Sequence, residues 1–251
     1  MPLIMETQIN LFGDDYELTE RISAKARSIR IEVRPDRGVS LIYPRWVARV
    51  EALAFLRSRE AWIRDKLAEM AQQASAYPAP GRNRWDGSDR IRLRGRELPL
   101  KWEAARLRRP AVRIESERIV VLAPAADVQT PKLDAALRQA LIQQARVDAR
   151  AHLDTAAVPL GVQYRELRIN DPQTQWGSCN PGAVICLSWR LVMAPPTVFR
   201  YVAVHELCHL VHMDHSARFW ALIERQMPDY EQHKQWLRER GHQLHGWLAR
   251  R

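Results

Sequence analysis

Cysteine is scarce in this 251-residue chain, which has only Cys179, Cys186 and Cys208. Three thiols cannot build the disulfide framework of a small secreted domain, and at least one stays unpaired. No apolar run approaches the roughly 20 residues needed to span a bilayer. The opening MPLIMETQINLFGDDYEL lacks the basic start and long apolar core of a signal peptide. These absences point to a cytoplasmic protein with no membrane partner. Also missing is a phosphate loop of the G-x-x-x-x-G-K-[ST] kind, as are internal repeats and low-complexity tracts.

What remains has globular proportions, with 46% hydrophobic and 27% charged residues. A chain of this length buries a sizeable core, as one large domain or two lobes. Its 39 basic residues against 29 acidic give a net charge of +10, which suits a partner carrying phosphates, a nucleotide or a nucleic acid. The basic residues are spread along the chain, however, and scattered arginines also make ordinary solvated faces.

The pattern along the chain is α+β. Residues 1–126 read as a β-rich lobe with one long helix. In SIRIEVRPDRGVSLIYP, Ile29, Ile31 and Val33 alternate with polar residues before the turn-prone Pro35 to Gly38, and Val39, Leu41 and Tyr43 resume the alternation. The segment VARVEALAFLRSREAWIRDKLAEM has helical spacing, and IRLRGRELPLKWE and VRIESERIVVLAP read as two more hairpins. Residues 127–251 read as a second lobe, in which the pattern becomes helical from about Thr130. A helix opens at Pro131 with Leu133, Leu137, Leu141 and Leu153 near one side. Strands over 164–170 and 184–191 flank the turn-rich NDPQTQWGSCNPG, and helices follow over TVFRYVAVHELCHLVHM, ARFWALIERQM and YEQHKQWLRERG.

The third-last of these helices carries the chemistry. His205-Glu206-Leu207-Cys208-His209 is H-E-x-x-H. Residues four apart share a helix face, so both imidazoles can reach one metal ion. Glu206, one step round, is placed to take a proton from water on that metal. A catalytic zinc site has a third protein ligand and one open position. His215, six residues on, is one candidate, with the helix ending near Met213-Asp214 and Ser216 capping the next; Glu224 is the competing one. The metzincin pattern places glycine where this chain has His212, which argues against that class and leaves His212 as a neighbour. Cys208 points away from the ligating face and reads as core. His233, His242 and His245 lie in a polar, basic tail and read as surface residues.

HELCHLVHMDHSARFW, with WGSCNPGAVICLSWRLVMAPP before it and MPDYEQHKQWLRERG after it, resembles the YgjP-type family of metal-dependent hydrolases, related to the SprT-like zincin peptidases. KARSIRIEVRPDRGVSLIYPRW and AWIRDKL extend the resemblance to about residues 16–241. The resemblance implies a compact zincin-like core with the H-E-x-x-H helix packed beside a small sheet. It also implies His205, His209 and His215 as ligands of Zn2+, with Ni2+ or Co2+ as other metals of such a site, and Glu206 as general base. Trp176-Gly177-Ser178-Cys179 matches the family's signature turn, either lining the cleft or supporting the active helix. The strand from Val184 to Leu191 is the expected substrate-side edge, where a peptide would add by main-chain hydrogen bonds. The family commonly carries arginine where this chain has Gln175, and Arg168 or Arg190 are the candidates to replace it.

A zinc-dependent hydrolase of metallopeptidase type, acting on a peptide or protein, is therefore the leading expectation. Tyr201, His212 and Tyr230 are its candidate oxyanion donors. The alternatives are a metal-dependent phosphoanhydride hydrolase acting on a nucleotide, and a nucleic-acid-associated module. The second of these uses Arg90, Arg92, Arg94 and Arg96 as a basic stripe, which is also the ordinary solvent face of a strand.

Overall fold

Apolar alternation dictates the first sheet. The structure, a computed structural model, describes residues 3–11, 14–34, 38–76, 83–124, 130–172 and 175–246. It divides into two compact units, Met1–Pro78 and Ala79–Arg251. In the first unit β1 (Leu3–Leu11) and β2 (Asp14–Ser23) pair antiparallel, as do β3 (Arg30–Arg34) and β4 (Gly38–Pro44). The β3–β4 hairpin has the expected register, Ile31 opposite Leu41 and Val33 opposite Val39, although Pro35 to Arg37 lie outside the described residues. β2 and β4 run parallel, giving the order β1-β2-β4-β3. Leu18, Leu41, Leu56 and Ile63 form the heart of the core here. Buried Glu20 accepts hydrogen bonds from the Tyr43 hydroxyl at 3.2 Å and from Arg49 at 2.6 and 2.9 Å.

The one long helix expected in this lobe is two, α1 (Arg49–Ser58) and α2 (Glu60–Ala76). The Ser58 hydroxyl donates to the Phe55 carbonyl at 2.7 Å, and the Arg59 N–H closes on Leu56 O at 3.0 Å. That tighter last turn ends the first helix before the second begins.

The second unit repeats the pairing scheme of the first. β5 (Arg90–Leu93) and β6 (Arg96–Ala104) form one hairpin, β7 (Ala111–Ile114) and β8 (Ile119–Ala123) another, and β6 runs parallel to β8. The order β5-β6-β8-β7 thus matches β1-β2-β4-β3, a topological repeat without a repeat in sequence. The expected lobe boundary at 126/127 lies outside the described residues and within this unit. β5 to β8 share one hydrophobic core with the 31-residue helix α3 (Thr130–Leu160), whose Leu133, Leu137, Leu141, Ala145, Ala149 and Leu153 are fully buried at four-residue steps.

The arginines at 90, 92, 94 and 96 do not make a continuous stripe. Arg94 and Gly95 form the hairpin turn, with φ of 49° and 77°. Their N–H groups donate to Val192 O at 2.7 Å and Met193 O at 3.2 Å. Arg92 and Arg90 face Glu97, Arg94 takes Asp148 at 2.7 Å, and Arg96 takes Glu117 at 3.1 Å. Local carboxylates answer each charge.

The rest of the unit is β9 (Glu166–Asn170), β10 (Gly177–Cys179), β11 (Val184–Ser188), a 3₁₀ turn (Trp189–Met193), α4 (Pro196–Cys208), α5 (Ala217–Gln226) and α6 (Tyr230–Gly246). The sheet order is β10-β11-β9. β11 is therefore central, not an edge as expected from sequence. The W-G-S-C turn folds back antiparallel on β11, and β9 occupies its other side in parallel. No helix among the described residues is long and apolar enough to cross a membrane.

Candidate metal centre

The helix α4 starts on Pro195 as N-cap and Pro196 at N1, where a missing N–H costs no helical hydrogen bond. It buries Val198, Phe199, Val202, Ala203 and Leu207 in the core, and its last turn carries the half-buried His205 and leads into the buried His209. It ends at Cys208, with His209 as C-cap, five residues or more before the expected Met213-Asp214. The reason is local. Leu210 N–H closes on Leu207 O, and Val211 and His212 N–H both close on Cys208 O, at 2.9–3.0 Å. This turn carries the chain back so that His215 arrives at the mouth of α5. Ser216 occupies the N-cap position but makes no side-chain cap; its N–H donates to Asp214 Oδ1 at 3.3 Å.

One ligand atom from each of His205, His209 and His215 lies within 4.8 Å of the others. His205 Nε2 and His215 Nε2 are 3.1 Å apart. His209 Nδ1 donates to the His212 carbonyl at 3.1 Å, which leaves its Nε2 with a free lone pair. His212 thus contributes its backbone to the site, and its imidazole is outside the cluster. Glu224 is exposed on α5 and is not part of any such cluster among the described residues.

Phe219 supplies the floor. It is fully buried, and its ring centroid lies 5.0 Å from that of His205, 4.5 Å from His209 and 4.9 Å from His215. Burial first, then the neighbouring His209 and His215, holds the His205 imidazole down to a pKa of about 3. Burial likewise lowers His209. Neutral imidazoles with lone pairs turned toward one point are what a zinc-class cation requires. Cys208 is fully buried, and burial lifts its thiol to about 12, which makes it core and not a thiolate ligand.

Glu206 is buried, and desolvation lifts its carboxyl to about 8. Gly177 lies directly against it. A Cβ on Gly177 would come within 2.8 Å of Glu206 Cγ and Cδ and closer still to Oε1. Trp176 beside it packs tilted against His245, ring centroids 4.5 Å apart, and a Cβ on Gly241 would stand 2.8 Å from its ring. Ser188 N–H donates to Trp176 O and Asn180 N–H donates to Val184 O. Even-numbered residues of β10 thus bond to β11, and the N–H and C=O groups of Gly177 and Cys179 face the other edge, on which no further strand pairs among the described residues. Burial raises the Cys179 thiol to about 11, with Glu206 and Cys186 adding to it.

A cleft of about 370 Å³ runs beside His205 and Glu206. Gln175, Trp176, Gly177 and Tyr201 line it, while Ser178 and Cys179 are not among its lining residues. The far side is α6, through Lys234, Leu237 and Arg238, none of which the sequence singled out. Their signal was the i, i+3, i+4 spacing on one helix face. Nor is α6 a surface tail. It packs against α4 and the 3₁₀ turn, with His233 only 9% exposed and His242 and His245 half-buried. Arg168 and Arg190 do not take up the position beside Gln175. Arg168 pairs with Glu166 at 2.7 Å. Arg190 is fully buried, donating to Asp171 Oδ1 at 2.9 Å and to Leu244 O at 2.7 Å.

Three imidazoles converging beside a buried carboxyl are the donor set of a metal-dependent hydrolase. The chain belongs to the YgjP-like family, whose metallopeptidase domain it matches over residues 27–240. Among solved structures, the metallopeptidase zymogen of Pyrococcus abyssi abylysin is similar over 36% of this chain and 93% of its own, with 21% identity and a TM-score of 0.34. Among curated proteins there is no match.

Proposed function

We propose that this protein is a zinc-dependent peptidase in which His205, His209 and His215 hold the metal and Glu206 is the general base. The observation that carries the reading is the convergence of the three imidazoles within 4.8 Å beside Glu206. A bound zinc ion supplies Lewis acidity toward the scissile carbonyl and toward water. The protein's own groups do the rest. Glu206, buried and holding its proton more tightly than an exposed carboxyl, is suited to take a proton from the attacking water and return it to the leaving amine. The outward-facing N–H and C=O groups of Gly177 and Cys179 offer an extended peptide a strand to pair with. This moves the substrate-side edge from β11 to β10. Tyr201, which lines the cleft, is the best placed of the candidate oxyanion donors.

Metal content tests the site. We expect about one zinc per chain in wild type and in Glu206→Gln, with most of it lost in His215→Ala. Cleavage of an unfolded protein substrate is expected in wild type and reduced by about 10²- to 10⁴-fold in Glu206→Gln. Zinc retained at full occupancy in His215→Ala would overturn the three-histidine assignment. Lys234 and Arg238 in the cleft favour one second reading, a phosphoanhydride substrate hydrolysed by the same metal and base.

A further inference from the structure

We propose that Gly241 is a positioning residue for the substrate cleft: it forms a notch in α6 that holds the Trp176 indole back and so keeps the cleft beside His205 and Glu206 open to a peptide. This inference rests on the peptidase reading above.

Gly241 lies in the interior of α6, where glycine is a poor helix former, so its place there calls for another cause. Its neighbour supplies one. A Cβ at this position would stand 2.8 Å from Trp176 Cζ2, 3.4 Å from Cε2 and 3.5 Å from Nε1, so the edge of the indole lies against the bare backbone of the helix. Leu237, Gly241 and His245 are four residues apart in turn and share one face of α6. His245 closes one end of that face, its ring centroid 4.5 Å from that of Trp176. Leu237 stands at the other end and lines the cleft together with Trp176 itself. The indole is thus seated between a filled side and an open one.

The backbone of Trp176 has no matching freedom. Its carbonyl accepts the Ser188 N–H at 2.8 Å, and the next residue, Gly177, pairs with Leu187 in the β10–β11 ladder. A side chain at position 241 therefore shifts the ring and not the strand, and the ring's open direction is the cleft. At about 370 Å³ the cleft is near the lower end of the size range of ligand pockets, so an indole moved into it takes space that a substrate residue needs. The strand that holds Gly177 against Glu206 stays in place, as do the three imidazoles. Gly241 thus governs entry of the peptide, through Trp176, and leaves the proton-transfer step to Glu206.

Steady-state cleavage of fluorescently labelled casein by the zinc-loaded full chain tests this. Gly241→Ala should hold as much zinc as wild type and raise KM about five- to tenfold, with kcat changed by less than about twofold. A fold merely weakened by overpacking would lower the active fraction, and with it kcat, but leave KM alone. Trp176→Phe removes the far ring to which Cζ2 belongs. In that background Gly241→Ala should raise KM by less than about twofold over Trp176→Phe alone. The same rescue covers a Gly241→Ala chain that fails to fold or to hold zinc, since the double variant should regain both. An unchanged KM in Gly241→Ala, or a loss that Trp176→Phe does not relieve, would overturn this inference and leave the peptidase reading standing. If zinc-loaded wild type cleaves neither casein nor a mixed-sequence peptide library, the peptidase reading falls and this inference falls with it.

Discussion

Gly177 has a neighbour, Glu206, that leaves no room for a side chain. The 2.8 Å separation between its virtual Cβ and Glu206 Cγ and Cδ is far inside ordinary contact. Gly177→Ala must therefore push Glu206, the proposed general base, aside, and small displacements of catalytic groups cost heavily. We expect about a 10²-fold loss of peptidase activity with zinc content unchanged, since the three imidazoles are not touched. Full activity in Gly177→Ala would show that Glu206 tolerates relocation. This residue pair also shows what the sequence could and could not disclose. That His205 and His209 come together was legible because a helix with period 3.6 converts a spacing of four into a shared face. The choice between His215 and Glu224 depended on how the chain turns after α4, which no periodicity reports. His212 looked like a neighbour with a side-chain role, and its contribution is a carbonyl, invisible to any reading of residue types.

Among the elements, α6 departs furthest from expectation. Its sequence is polar and arginine-rich, and the burial of His233, Gln243 and Leu244 is achieved by packing against α4 and the 3₁₀ turn. Polar residues buried by hydrogen bonds leave no hydrophobic period to detect. One of those anchors is the Arg190 guanidinium, fully buried, which joins the carbonyl of Leu244 in α6 to Asp171 just after β9. Arg138 of α3 reaches the other oxygen of Asp171 at 2.6 Å. Burial works against the Asp171 charge, but Arg190, the Trp189 side chain and Arg138 outweigh it and hold the carboxyl below its usual range. The folded-state pKa is thus lower than the unfolded one. The pair stabilises fully above the ordinary carboxylate range, and its contribution is lost as pH falls through the folded value. Asp171→Asn should cost about 3 kcal/mol at pH 7, because it leaves a buried guanidinium without its counter-charge. As pH falls through the folded-state value, which lies below the ordinary carboxylate range, the variant and wild type should converge, because the wild-type carboxyl also becomes neutral. Urea unfolding of both proteins across that range checks the sign. A constant difference at all pH values would mean that packing, not charge, accounts for the cost.

Across the whole chain, the repeated sheet order relates two units whose sequences look unalike. The reading from sequence found the β3–β4, β5–β6 and β7–β8 hairpins, but not that β2–β4 and β6–β8 pair in parallel. Parallel pairing joins strands distant in sequence and leaves no turn signature between them. Each unit nevertheless has its own buried cluster, one around Leu41 and Leu56, the other running from Ile91 through α3 to Phe219. All three proposed zinc ligands belong to the second unit. A ligand that binds one folded unit stabilises that unit by mass action, by about 2.7 kcal/mol at a hundredfold excess over its Kd. Heating should therefore give two transitions instead of one two-state event. Zinc should raise the midpoint of one and leave the other in place, and His215→Ala should abolish the shift. Calorimetry of wild type with and without zinc makes the comparison directly. A single transition that moves as a whole with zinc would show that the two units unfold as one cooperative body.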